Sequence, residues 1–176
     1  MMKQAKRFVW LGFAAAVLAS ASYLALTRPA CACGQERPAP KSKYAPVHEY
    51  DPKRDAAADV ELALAEARRA KKNVLLEVGG KWCVWCRIMD SYFEANPDVL
   101  KLREDNYVLV KVNFSPENEN KAVLSKYGEI PAYPHIFVLD SEGQLLHSQN
   151  TGDLEVGKSY DKGKLVEFLR KWAPAK

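Results

Sequence analysis

The chain of 176 residues is poor in side chains that hold metals. It has four cysteines and three histidines, and His48, His135 and His147 bear no i,i+3 or i,i+4 relation to one another. A structural zinc site needs four ligands, usually two cysteine pairs or one pair plus two histidines. Here Cys83 and Cys86 form the single C-x-x-C pair. The histidine that haem attachment requires directly after such a pair is missing, and Arg87 stands in its place. Four cysteines are too few for a disulfide scaffold, and a packed domain of this length needs none. No internal repeat is visible. Charge of one sign is also scarce outside the N-terminus, where no acidic residue precedes Glu36. Of 26 basic residues, Lys3, Lys6, Arg7 and Arg28 flank the first apolar segment, so 22 remain beyond Arg28 against all 22 acidic ones. The folded part is therefore close to neutral and lacks the electrostatic footprint of a nucleic-acid partner.

What is present begins with a targeting segment. "MMKQAKR" is a basic n-region, and Phe8 to Leu26 carries no charge over 19 residues. That run exceeds the usual h-region and just reaches the length that spans a bilayer. Small residues at 19–22 and 30–32 mark candidate cleavage sites. Arg28, three residues before Cys31, stands where a lipoprotein signal has a bulky apolar residue. Positive charge ahead of the segment places the downstream chain outside the cytoplasm. The expected organisation is a signal peptide or membrane anchor over 1–28, a flexible linker over 29–52 and one domain over 53–176. The location is then periplasmic or otherwise extracytoplasmic, at the inner membrane if residues 8–26 are retained. In such an oxidising compartment a cysteine pair is a staple or a redox centre.

Within the domain, Ala56 to Lys72 has good helix formers with acids early and bases late. "NVLLEVG" (73–79) is a short apolar run of the kind found in buried central strands. The cysteine pair comes directly after it and opens a helix bearing Met89, Tyr92 and Phe93 on one face. "NPDVLKLRED" restarts a helix, with Asn96 as cap and Pro97 in the first turn. "YVLVKVNF" (107–114) is a second buried strand, and 117–128 a short helix closed by Gly128. "HIFVLD", "SEG" and "QLLHSQ" read as strand, turn and strand. Leu165, Phe168, Leu169 and Trp172 form the apolar stripe of a last helix after Asp161. The order α-β-α-β-α-β-β-α predicts an α/β fold with a central mixed sheet flanked by helices. Strands separated by helices are expected to be parallel, with the hairpin as an antiparallel edge.

A plain staple across two residues removes little unfolded-state entropy. Dithiol exchange suits the position better. A strand-to-helix junction puts Cys83 at a helix N-terminus, where unpaired N–H groups and the helix dipole stabilise the attacking thiolate. Cys86, one turn on, can attack a mixed disulfide on Cys83. Arg87 adds positive charge nearby. A two-cysteine copper site completed by His135 is a second possible arrangement.

"WCVWC" after a strand resembles the W-C-x-x-C site of thioredoxin-fold proteins, and most of all the C-terminal domain of DsbD, the membrane thiol-reductant conductor, which carries W-C-V-A-C. The resemblance runs from about Tyr50 to Trp172 and implies a thioredoxin-like fold. It implies a redox-active Cys83–Cys86 disulfide in place of any cofactor, with Cys83 as nucleophile and Cys86 as resolving cysteine. Glu77, six residues before Cys83, matches a buried acid that takes and returns the resolving cysteine's proton. A carboxylate on an apolar strand is otherwise costly, which points the same way; the alternative is a side chain turned to solvent at the strand end. Lys111 matches a lysine that can lie near that acid. The family's cis-proline is assigned to Pro134, because choosing Pro131 would push Pro134 into the next strand. Tyr133 before it departs from the usual Thr, Val or Ile and is expected to narrow the substrate groove. Trp82 is expected to pack beside the thiols. Trp85 is either an exposed contact for partners or core packing. Substrate contacts are thus expected at Trp82, Trp85, Tyr133 and Pro134.

The resulting reading is an exported monomer that exchanges disulfides with protein thiols and disulfides. Val84 and Trp85 between the cysteines supply no charge to stabilise a thiolate and Glu77 opposes one, which favours the reducing direction. An exported reductase also requires a membrane electron donor. Two other classes stay open: a copper-handling module and a noncatalytic binding module displaying Trp85 and Tyr133. Cys31 and Cys33 form a C-x-C that is either lost on cleavage or kept as an accessory thiol pair.

Overall fold

A computed structural model describes residues 44–175. The targeting segment, Cys31 and Cys33 lie outside the described residues. Among the described residues no helix is long and apolar enough to cross a membrane.

Helix α1 (Ala56–Ala70) starts at Asp55, whose side chain accepts from the N–H groups of Ala57 and Ala58, and ends at Lys71 in the left-handed region. It lays Val60, Ala63, Leu64 and Ala67 on one face of the sheet. Strand β1 (Asn73–Gly79) is buried along its whole length. Helices α2 (Val84–Ala95) and α3 (Pro97–Asn106) come next, broken at Asn96 and Pro97. Asn96 stands at the expected cap position, but its amide donates back to the Tyr92 carbonyl at 2.8 Å rather than capping α3. Then come β2 (Tyr107–Asn113), the single turn α4 (Lys121–Leu124), β3 (His135–Leu139) and β4 (Leu145–Asn150). A 3₁₀ turn (Thr151–Leu154), the small hairpin β5 (Glu155–Val156) and β6 (Ser159–Tyr160), and α5 (Lys162–Lys171) complete the chain.

The sheet order is β2-β1-β3-β4. β1 and β2 are parallel, but β3 runs antiparallel to β1, against the expectation that helix-separated strands are parallel. The reason is length. α4 covers about 6 Å, whereas a strand like β1 runs about 23 Å, so no crossover helix carries the chain back along the sheet. The chain stays at the end where β2 finishes, and His135 pairs with Val78 beside the cysteine loop.

Alternation divides the core between the two faces. Val74, Leu76, Val78, Val110 and Phe137 pack towards α1. Leu75, Leu109, Ile136 and Val138 pack with Met89 and Phe93 of α2 and with Leu165, Phe168 and Leu169 of α5. The same alternation turns Glu77 and Lys111, register partners across β1 and β2, towards the α2 side.

The linker boundary differs from the one expected. Before residue 52 the chain is already bound to the sheet: the Tyr44 hydroxyl donates to the Leu109 carbonyl at 2.6 Å, and Val47 bridges in parallel to Val110. A single bridge has no sequence period, which is why this stretch reads as tether.

Candidate active site

β1 delivers the chain to a short loop, and Cys83 is the N-cap of α2. Cys83 and Cys86 are joined in a disulfide, and the Cys83 sulfur accepts from the Cys86 N–H at 3.1 Å. This is the junction expected from the sequence, where the first turn's free N–H groups favour negative charge on Cys83. Both cysteines are buried in one cluster with Tyr50, against which Trp85 and Tyr133 pack. Gly79 is required for closeness: a Cβ there would collide with Cys86 Sγ and lie 3.0 Å from the Tyr50 ring and hydroxyl. Arg87 is exposed, and its guanidinium donates to the Lys81 carbonyl at 2.9 Å, bracing the loop ahead of Cys83.

Behind Cys86 lies a group of buried charges. Glu77 is 2% exposed, so the solvent-facing alternative for this residue does not hold. Its carboxylate accepts a hydrogen bond from the Tyr50 hydroxyl and lies 3.9 Å from Lys111 Nζ. Lys111 is paired with Asp90 of α2, and its ammonium sits 5.0 Å from the centre of the Tyr50 ring. Burial raises the Glu77 pKa above the ordinary carboxyl range, opposed by the Lys111 charge and the Tyr50 hydrogen bond. Burial and the neighbouring Glu77 charge push the Tyr50 phenol well above its usual value.

In front of Cys83 the surroundings are aromatic. Tyr133–Pro134 is a cis peptide, as assigned from the sequence, and Pro134 is buried. The Pro134 carbonyl accepts from the buried Thr151 hydroxyl at 2.6 Å. Tyr133 stacks on Phe114 and meets Trp82 edge-on at 5.2 Å. Trp82, expected to pack beside the thiols, has one edge tied to the backbone and much of its ring at the surface. Its indole N–H donates to the Phe114 carbonyl at 2.8 Å, which draws the ring outward and leaves it 52% exposed. Trp85 is the half-buried one, packed against the cysteine cluster and edge-on to Tyr160 at 5.7 Å. Val84 beside Cys83 is 57% exposed.

His135, the third ligand of the copper arrangement, is otherwise engaged. Its Nε2 is 2.8 Å from Ser148 Oγ, and its ring lies against Phe137. Burial lowers its pKa to about 4. Among the described residues no group of three or more His, Cys, Asp or Glu is disposed to hold a metal.

Three site residues escaped sequence reasoning. Tyr50 lies in the stretch read as linker. Asp90 stands four residues after Cys86 on the same helical face, a spacing that could have revealed it. Thr151 comes after a strand with no distinguishing pattern.

Residues 55–141 match the family model described as Thioredoxin-like. The thiol:disulfide interchange protein DsbD 2 of Pseudomonas aeruginosa is 29% identical over 102 residues, which cover 57% of this chain and 17% of that protein. The chain thus spans less than a fifth of the length of the curated relatives it matches. Among solved structures, a disulphide isomerase from Xylella fastidiosa Temecula1 superposes with a TM-score of 0.60 and 26% identity, covering 69% of this chain and 94% of that one. The oxidised DsbD C-terminal domain of Neisseria meningitidis shares the fold, with a TM-score of 0.52 and 21% identity over 70% of this chain and 98% of that one. The cysteine pair at its strand-to-helix junction therefore sits in a chain that belongs to the thioredoxin-like family, close to DsbD.

Proposed function

We propose that the chain is an exported thiol–disulfide oxidoreductase that works as a reductase or electron relay on protein disulfides. The observation that carries this reading is the Cys83–Cys86 disulfide at the N-terminus of α2, with buried Glu77 behind it and cis-Pro134 in front.

In the reducing direction the dithiol form starts the cycle. The Cys83 thiolate, favoured by the N-terminal N–H groups of α2, attacks a partner disulfide. One partner sulfur leaves as a thiolate and Cys83 holds the other in a mixed disulfide. Cys86 loses its proton towards Glu77 and attacks Cys83 Sγ. The second partner sulfur departs, leaving the Cys83–Cys86 disulfide. Two electrons have passed to the partner, and no cofactor takes part. The rim of Trp82, Val84 and Tyr133 offers the partner an apolar contact beside Cys83.

Direction is set by charge. An ionised Glu77 sets negative charge on the Cys86 side of the pair, with Asp90 a second acid there and Lys111 and Arg103 as the opposing cations. Negative charge beside the pair disfavours thiolate, so the reduced state is less stabilised and gives up electrons more readily. Export and membrane attachment rest on the N-terminal segment, and re-reduction outside the cytoplasm calls for a membrane electron donor. Equilibration with glutathione buffers tests the direction. A potential nearer the thioredoxin value of about −270 mV is expected, and one near about −120 mV would reverse the assignment.

A further inference from the structure

Tyr50 precedes residues 55–141, the part matched by the family model, yet it sits inside the site. It is 6% exposed and belongs to the same buried cluster as both cysteines. Its hydroxyl and Cys86 Sγ flank one point, the place that a Cβ on Gly79 would occupy. Its proton is directed at Glu77 Oε1. The phenol therefore lies near the sulfur and is hydrogen-bonded to the carboxylate, a position from which it can carry a proton between them. A cleft lined by His48, Tyr50, Cys86, Asp90 and Lys111 connects this group to solvent.

We propose that the Tyr50 hydroxyl relays the proton between Cys86 and Glu77. This rests on the thiol–disulfide exchange described above. During resolution the Cys86 S–H gives its proton to the Tyr50 oxygen, while Tyr50 passes its own proton to the Glu77 carboxylate. The Cys86 thiolate attacks Cys83 Sγ, the Cys83–Cys86 bond forms and the bond from Cys83 to the partner breaks. The partner leaves as a thiolate that takes a proton from water. Glu77 later returns its proton to solvent by way of Tyr50, which lines the cleft. The groups acting on Glu77 are Tyr50 from the preceding segment, Lys111 of β2, Asp90 of α2 and Arg103 of α3. Because the Tyr50 hydrogen bond lowers the Glu77 pKa, its loss moves that titration upward.

The test is a single turnover of reduced full-length protein with an aromatic disulfide whose two thiolates absorb on release. The first phase reports mixed-disulfide formation on Cys83 and the second its resolution by Cys86. Tyr50→Phe keeps the ring and removes the hydroxyl. The expected result is a first phase within about twofold of the parent and a second phase slowed about tenfold, with its pH inflection moved up. In a Glu77→Gln background, Tyr50→Phe should add nothing further to the second phase. A second phase unchanged in rate and inflection, or slowing that multiplies in the Glu77→Gln background, would overturn the relay. A parent protein that shows no first phase would overturn the exchange reading itself and the relay with it, an outcome distinct from failure of Tyr50 alone.

Discussion

The two sulfurs of one disulfide have unlike neighbourhoods. Around Cys83 the chain sets exposed Trp82 and Val84, and Tyr133 ahead of cis-Pro134. Around Cys86 it sets Tyr50, Glu77, Lys111 and Asp90, of which Tyr50, Glu77 and Lys111 are buried. The first neighbourhood is apolar and reaches the surface. The second is charged, hydrogen-bonded and largely closed to water. Burying charge in this way is costly unless the groups pair, and here they do. The difference teaches a division of labour: one sulfur meets the partner, and the other has its proton managed.

Changes on the Cys86 side should have the largest effect. Glu77→Gln leaves the shape but removes the proton acceptor, so the resolving step should slow about 100-fold while mixed-disulfide formation stays near normal. Rapid-mixing kinetics separate the two. The same variant has a thermodynamic signature. Folded Glu77 holds its proton to higher pH than the unfolded chain does, so the wild type loses stability as pH rises through the raised Glu77 value. Glu77→Gln should flatten that decline in melting temperature against pH.

On the Cys83 side the two tryptophans sharpen the contrast. Trp82→Ala removes an exposed ring and should slow reaction with a protein disulfide several-fold while changing stability by less than about 1 kcal/mol. Trp85→Ala removes a ring packed on Tyr160 and the cysteine cluster, and should lower stability by about 1–3 kcal/mol. Denaturant midpoints and partner-reduction rates read these two effects independently. Equal losses of stability in both variants would erase the distinction between rim and packing.

The last expected effect is confined to acid conditions. His135 comes directly after Pro134 and is held neutral, with its pKa lowered to about 4. The unfolded chain takes up this proton first as pH falls, so stability is lost between about 6.5 and about 4. His135→Gln should make that loss shallower in pH-dependent denaturation.

The Cys83 side and the strand bearing Glu77 were legible because each carries a local signal. A C-x-x-C after an apolar strand, an acid on that strand and a proline just ahead of the next one are readable within a few residues. Lys111 was legible for the same reason, a charge inside a β-branched run. Tyr50 was not, since it reaches the site through one backbone bridge and a side-chain contact across 27 positions of sequence. The antiparallel β3 was misjudged because helix signals over 117–128 overstate α4, of which only Lys121–Leu124 is helical. The β5–β6 hairpin, two residues on each strand about Gly157, is too short for any periodic pattern. The outward turn of Trp82 depends on the Phe114 carbonyl, a backbone partner that side-chain patterns do not encode.

The central claim is that Cys83 attacks and Cys86 resolves. Cys86→Ser, reduced and then exposed to a disulfide-linked protein, should accumulate a mixed disulfide that peptide mass mapping places on Cys83, with catalytic turnover lost. Full turnover by Cys86→Ser, or no adduct on Cys83, would contradict the account.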